Sequence, residues 1–236
     1  MVAGTPDDDE RRAALAGTEP RVALIHALAQ SIAPVNAELE RAWPACTRMN
    51  LLDDSLSADL AASPGGLDAG MTARFLALAD YVVGTGVHGI LFTCSAFGPC
   101  IDAVARRWPD LPVLKPNEAM IADAAKAGRR VGLVASFAPT LSSMPAEFPP
   151  GVTVVPLLAE GALDGLARGD AALHDRLVVE AAERAERQGC DVVALAQFSL
   201  ARAAGAVERA VRLPVLTTVD SAVRLLRERV ERQAQR

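Results

Sequence analysis

Two stretches of this 236-residue chain, about a hundred residues apart, share one frame. Residues 21–31 read RVALIHALAQS and residues 130–140 read RVGLVASFAPT, an offset of 109. Residues 86–96, GVHGILFTCSA, align with 189–199, GCDVVALAQFS, at an offset of 103, and LPVL recurs at 111 and 213. Blocks in one order at nearly one spacing imply two similar halves. The frame sets Ser31 opposite Thr140 and Cys94 opposite Gln197.

Each block opens on a short apolar run. Near-continuous runs at 21–28, 87–94, 111–115, 129–136, 152–158, 190–197 and 213–218, with a weaker one at 46–53, have strand length. Runs that are apolar on both faces suit parallel strands covered by helices on both sides. Between them lie MTARFLALADYVVGTG, NEAMIADAAKAG and ALHDRLVVEAAERAERQG, helix-like and closed by glycine. The pattern predicts α/β: two similar, doubly wound parallel-sheet halves related by a pseudo-twofold axis. The expected division is a flexible extension over 1–20, a first half of 21–115 and 214–236, and a second half of 116–213. Ligands of open parallel sheets bind beyond the strand C-termini. Cys94 and Gln197 sit at such ends, so the expected active site is a cleft between the halves.

Composition narrows the function classes. A chain with 51% hydrophobic and 22% charged residues has ample core, and a net charge of −5 discourages binding to nucleic acid or anionic membrane. No apolar run approaches the roughly 18 residues of a membrane span, and the acidic N-terminus lacks an apolar signal core. Four cysteines in a chain of this size read as reduced thiols, which places the protein in the cytoplasm. There is no G-x-S-x-G elbow, G-x-G-x-x-G or P-loop. Cys94 and Cys100 could form a C-x5-C metal pair, but no second pair or histidine cluster supports it, so no metal site is expected.

A duplicated α/β chain with a cysteine at the strand end of a half resembles the aspartate/glutamate racemase superfamily. That superfamily includes glutamate, aspartate and hydantoin racemases, maleate isomerase and arylmalonate decarboxylase. The resemblance spans about residues 20–230. Where the family reads roughly Cys-Asn-Thr, this chain has Cys94-Ser95-Ala96; where it reads Gly-Cys-Thr-His, this chain has Ala196-Gln197-Phe198-Ser199. A Thr-x-x-Ser stretch is matched by Thr140-Leu141-Ser142-Ser143. The resemblance implies cofactor-independent proton transfer beside the carboxylate of a small acid, with two cysteines on opposite faces of one carbon. It also implies a possible homodimer. Here Gln197 cannot supply the second acid or base, so the chemistry is expected to run from Cys94 alone. One cysteine can still protonate the carbanion left by decarboxylation, or add to an activated double bond.

Cys94 and Gln197 are therefore the candidate catalytic pair. A helix start after Cys94 would lower its thiol pKa. Cys46, Cys100 and Cys190 read as structural thiols. Candidate substrate-binding residues are His26 at the end of the first strand, Ser95 and Ser199 beyond the catalytic pair, and Ser31, Ser136, Thr140 and Ser143 around the helix starts. Helix capping is the ordinary role of such hydroxyls, and a capped helix start also offers N–H groups to a carboxylate. Lys115 and Asn117, in LKPNEAM, complete the set, with Asn117 alternatively a plain helix cap. A binding protein that kept the site without catalysis, and a cysteine-nucleophile hydrolase, are the alternatives.

Overall fold

The structure is a computed structural model that describes residues 19–235. Residues 1–18 of the expected N-terminal extension lie outside the described residues. The chain divides into two compact units: residues up to 32, 39–115 and 224 onward, and residues 33–38 with 116–223.

The first unit holds a parallel sheet of β1 (Arg21–His26), β2 (Thr47–Leu52), β3 (Gly89–Phe92) and β4 (Val113–Leu114), in the order β2-β1-β3-β4. The second holds β5 (Arg130–Ala135), β6 (Thr153–Leu158), β7 (Val192–Leu195) and β8 (Val215–Thr217), in the order β6-β5-β7-β8. The two orders are the same. β1 and β5 begin at the sequence offset of 109, and β3 and β7 at the offset of 103. The repeat read from the residues is thus a repeat of strands, and each of the eight expected strands forms.

Helices follow the strands: α1 (Ile32–Ala42), α2 (Ser55–Ala62), α3 (Ala69–Val83) and α4 (Gly98–Arg107), then α5 (Glu118–Ala127), α6 (Ala138–Ser143), α7 (Ala162–Ala167), α8 (Ala171–Arg187), α9 (Ala204–Ala210) and α10 (Thr218–Ala234). Among the described residues, no helix is long and apolar enough to cross a membrane. Aspartates start the two long crossover helices, Asp68 accepting from the Met71 amide at 2.7 Å and Asp170 from the Leu173 amide at 2.9 Å.

Strand alternation sends side chains to both sheet faces, and both faces are covered. In the first unit Ala23, Ile25, Ile90 and Phe92 pack with Phe75 and Ala79 of α3 and Ile101 and Val104 of α4. Phe75 stacks on Phe92 at 5.3 Å between centroids and tilts against Phe97 at 4.9 Å. Gly89 faces Leu226 and Val230 of α10, which are within 3.0 Å of where a Cβ would stand. In the second unit Val131, Leu133, Ala135, Val192 and Ala194 pack with Met120, Ile121 and Ala124 of α5. The opposite face carries Val134, Val193 and Leu195 against Val178, Ala181, Ala182 and Ala185 of α8, a helical stripe. Pro156 lies on β6, an edge strand, where a missing ladder donor is tolerated.

The late boundary differs from expectation. Val215, Leu216 and Thr217 pair with Val193, Ala194 and Leu195, so β8 belongs to the second sheet. Ser221 then donates to Asp123 of α5 at 2.7 Å. Residues 214–223 therefore fall in the second unit and only residues from 224 in the first. The expected cut at 213 separated a strand from the sheet its hydrogen bonds complete.

Gly132 sets the depth of α8 on the second sheet. A Cβ there would stand 2.5 Å from the Ala185 Cβ and 3.4 Å from the Cys190 sulfur. Gly132→Ala should overpack this contact and destabilise the protein by about 1–3 kcal/mol. Urea unfolding monitored by circular dichroism measures this, and an unchanged midpoint would refute the close approach.

Candidate functional site

In the first unit the site grows from the ends of β1 and β3. The Thr93 amide donates to the Ile25 carbonyl at 3.0 Å, carrying the pairing one residue beyond β3. Cys94 follows in extended conformation, at φ −127° and ψ 119°, and a three-residue 3-10 turn, Ser95–Phe97, begins after it. The half-buried Cys94 lies at a crevice too tight for a water molecule, lined by Ile25, His26, Ala27, Leu56, Phe75, Phe92 and Phe97.

His26 is fully buried and both its ring nitrogens are engaged. Nδ1 lies 2.9 Å from the Thr93 hydroxyl and Nε2 lies 3.0 Å from the Asn50 Oδ1. Burial lowers its pKa, against the opposing pull of the Asn50 contact, so the ring is neutral at physiological pH. It braces Thr93, the residue before the thiol.

Burial also pushes the Cys94 thiol up, and a hydrogen bond from the Ala96 amide offsets this only in part. The expectation from sequence was a lowered pKa. The reason for the reversal is local. Helix α4 starts at Gly98, four residues on, and the field of a helix end fades within its first turn. The resting thiol is therefore protonated at neutral pH.

In the second unit Gln197 holds the equivalent place, extended at φ −140° and ψ 146° before the 3-10 stretch Phe198–Ala203. Its Oε1 accepts from the Ser136 amide at 2.6 Å and the Ser136 hydroxyl at 3.0 Å. Donors converging on that atom fix the amide orientation. The Nε2 group, with its two N–H donors, has no protein acceptor among the described residues. The repeat thus pairs Ala27 with Cys94 in one half and Ser136 with Gln197 in the other. His26 and Thr93 correspond to Ala135 and Ala196, so the polar brace under the thiol has no counterpart in the second half.

A family model described as Asp/Glu/hydantoin racemase matches residues 33–226. The chain belongs to this family. A search of the curated proteins returns no match. Among solved structures, an aspartate racemase homologue from Pyrococcus horikoshii is similar at a TM-score of 0.70 and 17% identity, covering 91% of this chain and 100% of that one. An allantoin racemase from Klebsiella pneumoniae is similar at a TM-score of 0.66 and 18% identity, covering 90% of this chain and 88% of that one. A variant of arylmalonate decarboxylase in a sulfate-associated form gives a TM-score of 0.63 at 20% identity, covering 90% of this chain and 94% of that one. At these identities the likeness is one of fold.

Within this Asp/Glu/hydantoin racemase-family chain the remaining candidates are dispersed in role. Ser95 and Ser199 are half-buried in the turns beyond Cys94 and Gln197. Ser31 is buried ahead of α1 and its side chain makes no capping bond. Thr140 is buried within α6, whereas Ser143 is exposed and donates to the Pro139 carbonyl at 3.1 Å. Lys115 forms an ion pair with Asp102 of α4 at 3.0 Å. Asn117 is buried and donates to Glu147 at 2.8 Å, and its side chain does not cap α5. Cys46, Cys100 and Cys190 are buried, and burial pushes the Cys46 thiol to about 12.

Sequence reasoning missed Thr93, Asn50 and the aromatic wall. Thr93 was accessible: Ile25 pairs with Phe92, so the next rung places His26 beside Thr93. Asn50 sits on β2 opposite Leu24, on the face of His26, but nothing in the repeat marks it.

Proposed function

We propose that the protein is a cofactor-independent, one-sided member of its family: a decarboxylase that protonates the carbanion beside the carboxylate of a small organic acid. The observation that carries this reading is the pairing of a protonated thiol, Cys94, with an amide, Gln197, at the equivalent position. A racemase needs a base and an acid on opposite faces of the α-carbon. An amide fills neither role, and a protonated thiol begins as an acid.

The reaction balances with these groups. A 2-substituted malonate loses one carboxylate as CO2, and the electron pair of the broken C–C bond remains as an enediolate on the other carboxylate. The Cys94 S–H bond breaks, its proton forms a C–H bond at the α-carbon, and the thiolate recovers a proton from water. The Gln197 N–H groups, aimed by Ser136, donate to the enediolate oxygens, where negative charge grows. Free thiols throughout fit a reducing compartment such as the cytoplasm. A cysteine hydrolase is disfavoured because both nitrogens of His26 are engaged with Thr93 and Asn50, so this histidine is not available as an activating base for the thiol.

The experiment is a proton NMR screen in D2O of amino acids, hydantoins, maleate-like diacids and 2-substituted malonates. The expected result is loss of CO2 from a malonate with uptake of one deuteron. Racemising exchange of an amino acid, with malonates untouched, would overturn the reading.

A further inference from the structure

Leu56 forms the outer wall of the Cys94 crevice, and the helix that carries it is thinly held. The other walls come from β1, β3, the long helix α3 and the buried Phe97. Within α2, Leu56 is the single buried residue, and Ser55, Ala58, Asp59, Ala61 and Ala62 are exposed. Polar bonds fasten the helix near its start. Arg74 of α3 donates to Asp53 at 2.8 Å, to Asp59 and to the Ser55 hydroxyl, and Ser57 donates to the Ala27 carbonyl at 3.0 Å. The Arg74 side chain is 34% exposed and that of Asp59 57%, so water and salt compete for this clasp. Beyond α2 the chain runs through Pro64-Gly65-Gly66, where Gly66 has φ +69° and no atom lies within 4 Å of a Cβ built on either glycine.

The repeat shows that this arrangement is peculiar to the half with the thiol. β2 and β6 begin and end 106 residues apart, and α2 and α7 follow them. At that offset Leu56 corresponds to Ala162, Asp53 to Ala159, Ser55 to Gly161 and Asp59 to Gly165. Arg74, at the offset of 103, corresponds to Leu177. The equivalence is spatial as well: Leu177 comes within 3.6 Å of where a Cβ on Gly161 would stand, just as Arg74 meets Ser55. The second half therefore holds its short helix by an apolar contact and has only a methyl group at the position of Leu56. The first half has a large apolar side chain there and an ionic clasp that solvent can release.

From this asymmetry we infer that α2 is a lid on Cys94, with Leu56 as its plug, Arg74 as its latch and Pro64-Gly65-Gly66 as the hinge on which it lifts. Closed, it leaves no room for a water molecule in the crevice beside the thiol. Lifted, it opens the space that Leu56 fills and lets a small molecule reach the sulfur. A helix with one buried side chain belongs to the part of a fold that opens most readily. The lid serves any chemistry run from Cys94 and is independent of the reaction proposed above.

The test is the rate at which iodoacetamide alkylates Cys94 in the native protein without substrate, read by mass spectrometry of each cysteine peptide. Arg74→Met keeps the aliphatic stem and removes the clasp. It should speed alkylation of Cys94 about tenfold, the factor expected for losing two exposed ion pairs of modest strength. Asp59→Asn, at a surface position, should speed it about threefold and leave thermal unfolding unchanged. In about 1 M salt the wild-type rate should rise toward that of Arg74→Met, whose own rate stays flat. Cys46, Cys100 and Cys190 are buried and should react as slowly as in the wild type. An unchanged Cys94 rate in folded Arg74→Met and Asp59→Asn proteins would overturn the lid. Acceleration of Cys100 in step with Cys94 would overturn it too, because both pack in one core cluster and their joint exposure marks loosening of the whole unit.

Discussion

Gln197→Glu should leave the protein folded and cut kcat/KM by about a thousandfold. The substitution keeps the shape of the side chain and both bonds from Ser136, now to a charged acceptor, so the local structure is held at least as well. What changes is the outward face. The two N–H donors of Nε2 disappear, and a carboxylate replaces the amide that the proposed reaction uses to bind the substrate's carboxylate oxygens. Like charges brought together in a binding site cost about 4 kcal/mol, which corresponds to a factor of about a thousand. Steady-state kinetics beside a thermal unfolding curve separate the two effects. Unchanged kcat/KM in a folded Gln197→Glu protein would show that the amide donors do not meet the substrate, and that Gln197 is only a brace for Ser136.

The same residue marks how far the sequence could be read. The correspondence of Cys94 with Gln197 came from the repeat alone, because strands buried on both faces leave continuous apolar runs that align without gaps. Ser136 and Gln197 each stood out as candidates, but their bond did not, since it joins residues 61 apart across neighbouring strands. Lys115 and Asn117 looked like binding groups because they sit at a strand-to-helix junction. Their partners, Asp102 and Glu147, lie on other elements that local pattern does not bring near. Leu56 reaches the crevice from α2 and lies outside the blocks that repeat in sequence.

The sign of the Cys94 shift was misread for a reason that the residues do contain. The stretch after the thiol, Ser95-Ala96-Phe97-Gly98-Pro99, has its proline near the first turn of α4. Proline favours the first helical position, so the helix start belongs near Gly98 and not at Cys94. With the helix displaced, desolvation by the aromatic wall dominates and the thiol keeps its proton. Of the two one-cysteine options that the sequence offers, a protonated thiol suits delivery of a proton to a carbanion, the one the proposed reaction uses.

Cys94→Ser should therefore lower turnover by about 10²–10⁴-fold, the range that a positioned general acid contributes, while the fold persists because serine is close in size. An alcohol in the same apolar surroundings is a far weaker acid than a thiol, so the enediolate would wait on water for its proton. The native pH profile should carry the same signature. Burial raises the Cys94 pKa and the protonated form is the reactive one, so the rate holds through neutral pH and falls as the pH rises through the raised value. A rate that climbs over that range would identify the thiolate as a base and restore the racemase mechanism. Stereochemistry gives the independent measurement. Protons delivered by one thiol reach one face of the α-carbon, so a prochiral 2,2-disubstituted malonate in D2O should give a single enantiomer with one deuteron at the new C–H position. A racemic product would mean that protonation comes from solvent or from both faces. Gln197→Cys then distinguishes a vacant opposite face from an occupied one: installing the second thiol should add exchange and racemisation of the product, and should lower its enantiomeric excess over time, only where Cys94 had been working alone.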